Sequence, residues 1–482
     1  MNRKIIIIGI DGVPWKLLYK LIGNNTMPYL AQLINSKSNI KATLRSILPP
    51  YTPPAWTSIA TGVNPGKHGV FDFHIVRKTR TGFVSRLATS LDVMYPRLHD
   101  MLEFHRLKSI VYNLPLTYPP WIAGGKYSIV INDWMAPEIR IHPKSLENKY
   151  LDYFNKGLKA LDLKGTSEES FEIMAERLDY STNGLLELID NIDWNLVFTI
   201  FSETDWCLHA NTNIIRGKLT EGANKVFRKI DWFIGKAMEY TENIMIVSDH
   251  GFTLCPYILN VPYILKKYGL SSDETFSEML TINLLGIKKI RVPPFFVRIA
   301  RKHKRIKYFM RKILFKVGGR EGRERRREVP YSLTKILTPD AGIIYVAPGY
   351  KDQVENILSK ELDIKAIYEP HELYWGPYID RAPDLILEPV HDYCLGISTK
   401  TYKSPENTAH HRDGVFILKT EKEIDVGDLK RLSLWDIAPI ALYLLNLPIP
   451  HDTDCELSIC RRMTSKMNYL SRYKLAKKLR QI

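Results

Sequence analysis

Cysteine is scarce in this chain: Cys207, Cys255, Cys394, Cys455 and Cys460 are the only five in 482 residues. The number is odd and no CxxC pair occurs. That argues against a disulfide framework, a zinc knuckle or a thioredoxin-like site, and leaves buried or idle thiols as the expectation. Long hydrophobic runs are also missing, and no stretch approaches the roughly 18 apolar residues needed to cross a bilayer. The aliphatic run that starts at Ile5 is too short for a signal sequence, has no small-residue cleavage site and meets Asp11 almost at once. It reads as a buried strand, and a cytoplasmic protein is expected. No internal repeat is visible. With 45% hydrophobic and 25% charged residues, disordered and low-complexity architectures are excluded. The length suits two or three domains, or one large α/β core with insertions.

Two segments have few or no acidic residues. Residues 288–328 carry 17 Lys/Arg against 3 Glu, and residues 461–482 carry 8 Lys/Arg and no acid. Relative to the overall +16, the rest of the chain is therefore at −6. The body is mildly acidic and the basicity belongs to two appendages. In the first, Ile299, Ile306, Met310, Ile313 and Val317 follow helical spacing up to Gly318-Gly319, which suggests an inserted basic helix or lid. Three uses fit it: a solvated lid docked on the acidic body, an amphipathic surface for anionic lipid, or a nucleic-acid contact. No aromatic interleaving or known binding module supports the last of these. The C-terminal segment is either a second basic amphipathic element or a frayed end.

Elsewhere, short β-rich runs alternate with helical stretches, which predicts an α/β fold with a mainly parallel sheet. The continuous aliphatic runs at 5–10, 196–201 and 244–247 read as strands covered on both faces. Residues 342–346 and 384–387 read as further strands, and 433–445 as a helix. Each of the first three runs ends near an acid: Asp11, Asp205 or Asp249. Ligands gather at the carboxyl ends of parallel strands, so three aspartates there suggest one polar site. Imidazoles accompany them. His209 lies four residues after Asp205, His250 follows Asp249, and His410-His411 occur late in AHHRDG. Carboxylate and imidazole together suit Zn²⁺ or Mn²⁺, and three Asp with three His can furnish two three-ligand sites. A lone member of this set would more simply be a core histidine or a capping aspartate.

A candidate nucleophile stands in TPPAWTSIATG. Thr52 precedes Pro53-Pro54 and a short helical run that ends at Gly62. The plain reading is an N-cap. A hydroxyl at a helix start beside metal ligands is also where a phosphate would sit. Pro53 and Pro54 lack N–H groups, which shifts the task of holding phosphate charge towards metals. Thr57 is the alternative, one turn into the helix.

In order, IGIDG, TPPAWTSIATGVNPGKHGVFDF, the DxxxH of Asp205 and His209, SDHGF and HHRDGVFI resemble the alkaline phosphatase superfamily. Its type I phosphodiesterase/nucleotide pyrophosphatase branch is the most similar, in particular the prokaryotic phosphohydrolase/phosphomutase subset. NLPLTYPP at 113–120, APDLILEP at 382–389 and the proline-closed helix at 434–454 match too. The resemblance covers residues 1–265 and 340–460 as a discontinuous core. It leaves out 266–339 as a basic lid and 461–482 as a basic tail.

The resemblance implies a three-layer sandwich with a mainly parallel central sheet. It also implies a metal-dependent phosphoric ester hydrolase acting through a phospho-threonine intermediate on Thr52. One divalent ion would be held by Asp205, His209 and His410, the other by Asp11, Asp249 and His250. His410 is preferred to His411 because the family pattern places a glycine four residues after its histidine, and Gly414 fits His410. Zn²⁺ is the expected metal and Mn²⁺ the alternative. The substrate would be a small-molecule or lipid-linked phosphoester, with Asn113 and Tyr118 as pocket residues and Trp121 and Trp375 as further aromatic candidates. A phosphomutase on the same core, or a non-catalytic membrane- or nucleic-acid-binding protein, are the competing readings. The sequence departs from the family at two places. Phe73 stands where nucleotide pyrophosphatases carry a phosphate-binding Asn, and Asp454-Cys455 replaces a common Asp-Gly pair.

Overall fold

Six consecutive aliphatic or glycine residues, Ile5–Ile10, form the middle strand of a nine-stranded sheet in the computed structural model. The structure describes residues 4–36, 39–157, 168–274, 327–390, 393–424, 431–462 and 468–481. Across the sheet the strands run Arg431–Ser433, Asn39–Arg45, Asp413–Lys419, Ile244–Val247, Ile5–Ile10, Leu196–Phe201, Ser109–Tyr112, Ser128–Ile131 and Ile141–His142. The pairings that flank Ile5–Ile10, and those through Leu196–Phe201 to Ser128–Ile131, are parallel. Asp413–Lys419 and Ile141–His142 enter antiparallel. The expected mainly parallel sheet is what the chain forms.

Side chains of a strand alternate between faces, so each central strand feeds two cores. Ile5 and Ile7 join one apolar cluster, with Trp56 and the Ile437–Leu444 helix. Ile6 and Ile8 join the other. There they meet the helices Trp15–Gly23, Pro28–Asn35, Glu168–Asn191 and Glu221–Ala237. The result is a three-layer helix–sheet–helix sandwich. A smaller four-stranded sheet, built from Ile336–Leu337, Ile343–Val346, Leu385–Pro389 and Ile364–Tyr368, packs on the Lys351–Glu361 helix in a third cluster. No helix among the described residues is long and apolar enough to cross a membrane.

The cysteine expectation is corrected. Cys255 pairs with Cys394 and Cys455 with Cys460, leaving only Cys207 as a buried thiol. Counting cysteines could not reveal the first pair. Its members are 139 residues apart, and the parallel pairing of Ile258–Asn260 with Cys394–Gly396 brings them together. The inserted basic helix lies outside the described residues. Of that segment's end, Arg327–Pro330 is a strand paired antiparallel with Gly82–Leu87.

The C-terminal segment is not frayed. Its helix Tyr469–Arg480 docks on the body, with Tyr469, Tyr473 and Lys477 buried. Tyr473 Oη donates to the Val93 carbonyl at 3.1 Å, and Arg480 pairs with Asp100 at 2.8 Å. Lys477 Nζ donates to the Leu91 carbonyl at 2.7 Å and to that of Val93 at 2.5 Å. Burial pushes the Lys477 amine down to about 7. An unfolded lysine titrates near 10.4, so between about pH 7 and 10 the unfolded chain holds a proton that the folded chain has released. The cost of burying the charged form is therefore present below pH 7 and is relieved as pH rises. Chemical denaturation should show wild type gaining stability relative to Lys477→Met between pH 7 and 9.5, and a constant difference would contradict this.

Candidate active site

The three acids expected at strand ends lie together at the carboxyl edge of the sheet. Asp11 follows Ile5–Ile10, and its N–H donates to the Phe201 carbonyl on the neighbouring strand at 3.3 Å. The chain then turns at Gly12, whose φ of +73° suits glycine. A Cβ there would come within 2.7 Å of the Phe252 ring and 3.2 Å of Asp205 Oδ1. Asp205 occupies the first turn of the Glu203–Ala210 helix, where the helix dipole favours an anion, and His209 follows one turn later on the same face. Asp249 and His250 follow the Ile244–Val247 strand after Ser248. His410 arrives from far along the chain on an antiparallel ribbon, Gly251–Cys255 against Asn407–His411, in which Phe252 faces His410.

Two groups of three result, and within each the ligand atoms lie within 4.8 Å of one another: Asp205, His209 and His410, and Asp11, Asp249 and His250. His410 Nε2 is 3.4 Å from Asp205 Oδ1 and 2.9 Å from His209 Nε2. His250 Nε2 is 3.5 Å from both Asp11 Oδ1 and Asp249 Oδ2. The Nδ1 atoms of His410 and His250 face carbonyls, of Pro50 at 2.9 Å and Gly251 at 3.1 Å. A carbonyl only accepts, so the proton belongs on Nδ1 and Nε2 presents a lone pair to the site. His411 stands apart, its Nδ1 accepting from the Asp413 N–H at 3.2 Å.

The fit to cations rests on the carboxylates. Asp11 Oδ1, Asp205 Oδ1 and Asp249 Oδ2 are buried and have no hydrogen-bond partner. Such atoms are costly unless something positive faces them. Burial, then the charge of Asp205, pushes Asp11 up to about 8. Burial and the nearby Asp11 raise Asp249 as well. Burial also opposes the charge of Asp205, but His209 and His410 outweigh it and hold that carboxyl well below the usual range. Burial, reinforced by His410, keeps His250 neutral, as a metal-binding imidazole must be. Against burial, Asp205 raises His410. Three acids packed with three imidazoles match the donor set of a divalent cation.

Thr52 is the first residue of the Thr52–Thr61 helix, and Tyr51 takes the cap position without a side-chain hydrogen bond. The capping expectation is thereby corrected, and the Thr52 hydroxyl is free of that duty. Its Oγ lies 3.4 Å from His250 Nε2. Thr57 instead spends its hydroxyl within the helix, donating to the Pro53 carbonyl at 2.6 Å. Trp56, fully buried on the same helix, donates to Asp11 Oδ2 at 3.2 Å and so ties the helix to the first strand end.

These residues open into a cavity of about 1070 Å³, with Asp11, Thr52, Asp205, His209 and His410 among its lining. Asn113 and Tyr118 do not line it. Asn113 is buried, its amide donating to the Ile200 carbonyl at 2.9 Å while its oxygen accepts from the Trp134 N–H at 3.1 Å. Tyr118 packs against Trp121 instead. Trp375 donates to Asp454 outside the cavity. The aromatic lining includes Trp134 and Trp206, edge to face at 5.6 Å and not singled out in the sequence, together with Phe73, Tyr51 and Tyr393. Trp206 was within sight, immediately after Asp205. Trp134 reaches the cavity only through its anchor on Asn113.

The sequence profile of the type I phosphodiesterase / nucleotide pyrophosphatase family matches residues 5–414. No curated protein sequence matches the chain. Among solved structures, murine ectonucleotide pyrophosphatase / phosphodiesterase 5 superposes with a TM-score of 0.57 at 13% identity, covering 94% of this chain and 97% of that one. An inactive threonine-to-alanine variant of the same murine protein, in complex with AMP, gives 0.56 at 12% identity, with 94% and 97% covered. Phosphonoacetate hydrolase from Sinorhizobium meliloti, in complex with phosphonoacetate, gives 0.55 at 12% identity over 92% and 96%. At such identities the likeness concerns the fold alone. With its profile matched over most of its length, the chain belongs to the type I phosphodiesterase/nucleotide pyrophosphatase family, and is a phosphoester hydrolase of the alkaline phosphatase superfamily.

Proposed function

We propose that this hydrolase works through a phospho-threonine intermediate on Thr52 at a two-cation centre. Asp205, His209 and His410 hold one cation and Asp11, Asp249 and His250 the other. The observation that carries the reading is the uncapped Thr52 hydroxyl, 3.4 Å from His250 Nε2 beside three partnerless carboxylate oxygens. Zn²⁺ suits a set of three Asp and three His best, and Mn²⁺ also fits. Bound divalent cations supply the positive charge that lowers the pKa of a hydroxyl and neutralises phosphoryl oxygens.

The chain's own residues do the rest. The start of the Thr52–Thr61 helix puts the positive end of its dipole at Thr52 Oγ and favours the alkoxide. Pro53 and Pro54 offer no N–H to a phosphate, so the backbone contributes little of the usual anion nest there. Trp56 holds Asp11 against the helix and keeps the threonine in register with the acids. Thr52 Oγ gives its proton to solvent in the cavity and attacks phosphorus in line, the bond to the leaving oxygen breaks, and that oxygen takes a proton from solvent. Water then attacks the phospho-threonine and regenerates the hydroxyl, so the two inversions give net retention at phosphorus. Trp134 and Trp206 offer flat apolar surface to the organic part of the substrate.

Two outcomes are expected. Chelator-treated protein should gain thermal stability on addition of Zn²⁺ or Mn²⁺, by roughly 2.7 kcal/mol for each site at a cation concentration a hundred times Kd. In Asp205→Asn the gain should shrink to that of a single site, and an unchanged gain would remove Asp205 from the centre. With a chromogenic phosphodiester, Thr52→Ala should lose about 10³-fold or more in kcat. Acid-quenched wild type should yield phosphothreonine at residue 52 by mass spectrometry. Full activity in Thr52→Ala would defeat the nucleophile assignment, and a product retaining all its phosphate in organic form would favour the phosphomutase.

A further inference from the structure

The cavity also carries charge that the phosphoryl chemistry does not use. Beyond the two candidate cation groups, Arg45, Lys365 and Arg412 line it with Asp340, Glu388 and Asp413. Asp340 accepts from the Ala341 N–H at 2.8 Å, and the other two carboxylates are engaged by side chains. Asp413 pairs with Arg45 at 2.7 Å, and Glu388 accepts from Lys365 and from the Tyr368 hydroxyl at 3.0 Å each. Arg412 is left over. Its Nε donates to the Ser46 carbonyl at 3.1 Å, which fixes the guanidinium plane. No described carboxylate lies within ion-pair distance of its two Nη groups. A half-buried guanidinium with a free fork is a recognition element for a planar or tetrahedral anion.

Its position relates it to the reacting phosphorus. Arg412 lies two residues beyond His410, in the bend between the Asn407–His411 and Asp413–Lys419 strands, and both line the same cavity. The same lining includes the apolar side chains of Leu387, Pro389, Val390 and Leu395 and the ring of Tyr393. The geometry points to Arg412 as a specificity residue for a second anionic group on the substrate. The substrate class is a phosphodiester whose retained arm carries a carboxylate or phosphate at the end of a short apolar spacer. This rests on the hydrolase reading above and extends it to the substrate.

Three esters test it with the full chain loaded with Zn²⁺: butyl p-nitrophenyl phosphate, its ω-carboxybutyl analogue and its ω-phosphonobutyl analogue. Wild type should favour one or both acids over the butyl ester by roughly tenfold or more in kcat/KM. The acid with the larger gain identifies the anion as carboxylate or phosphate. Arg412→Gln should bring the ratio to about one, and Arg412→Lys should restore part of it. The Kd values of the corresponding alkyl phosphates, measured by calorimetry on wild type and Arg412→Gln, should show the same ratio and its loss. Those values remain readable if no ester is turned over, a result that would count against the hydrolase reading alone. A wild-type ratio of one, a ratio unchanged in Arg412→Gln, or an equal loss on charged and uncharged esters would overturn the role of Arg412.

Discussion

Three carboxylates, Asp11, Asp205 and Asp249, are buried at one edge of the sheet, and each has an oxygen that no group of the protein satisfies. Leaving them so is expensive in a folded chain, where nearly every buried polar atom is paired. Stability alone would favour replacing them. Their unpartnered lone pairs are what supports the proposal that the site takes an external charge. The stiff aliphatic strands, the turn at Gly12 and the late histidine ribbon follow from the need to hold these anions in place without neutralising them.

The architecture suits that need. Ile5–Ile10 is hydrogen-bonded to parallel strands on both sides and covered by apolar clusters on both faces, so its carboxyl end cannot drift. Asp11, Asp205 and Asp249 each follow one of these three strands and inherit that rigidity. Thr52 and His410 come from outside the parallel set and need anchors of their own. The Trp56–Asp11 bond serves the first, and the Pro50 carbonyl on His410 Nδ1 serves the second. The cavity wall draws on several elements: Trp134 from the loop after Ser128–Ile131, Trp206 from the Glu203–Ala210 helix, and Arg45, Lys365 and Asp413 from strands.

How much of this was legible in the sequence depends on the range of the interactions. The central strands were visible because burial on both faces demands unbroken aliphatic runs, and the acids were visible because they stop those runs. The closeness of Asp205 and His209 follows from helical periodicity. Choosing between His410 and His411 needed the family pattern, since only the pairing of Phe252 with His410 turns that imidazole inward. The Cys255–Cys394 bridge was hidden because it depends on a strand pairing 139 residues apart. Asn113 looked like a pocket residue because an amide among prolines suggests a loop. Its bonds to Ile200 and Trp134 make it a strut instead. The docking of the C-terminal helix rests on Tyr473 and Lys477 reaching main-chain carbonyls near Val93, which no local pattern announces.

The most direct measurement is anomalous diffraction from Zn²⁺-soaked crystals, with data collected on either side of the zinc absorption edge. The account predicts two peaks roughly 4 Å apart, one among Asp205, His209 and His410 and one among Asp11, Asp249 and His250, with Thr52 Oγ beside the second. Absence of zinc from both groups, or zinc bound only at His411 and surface acids, would contradict it.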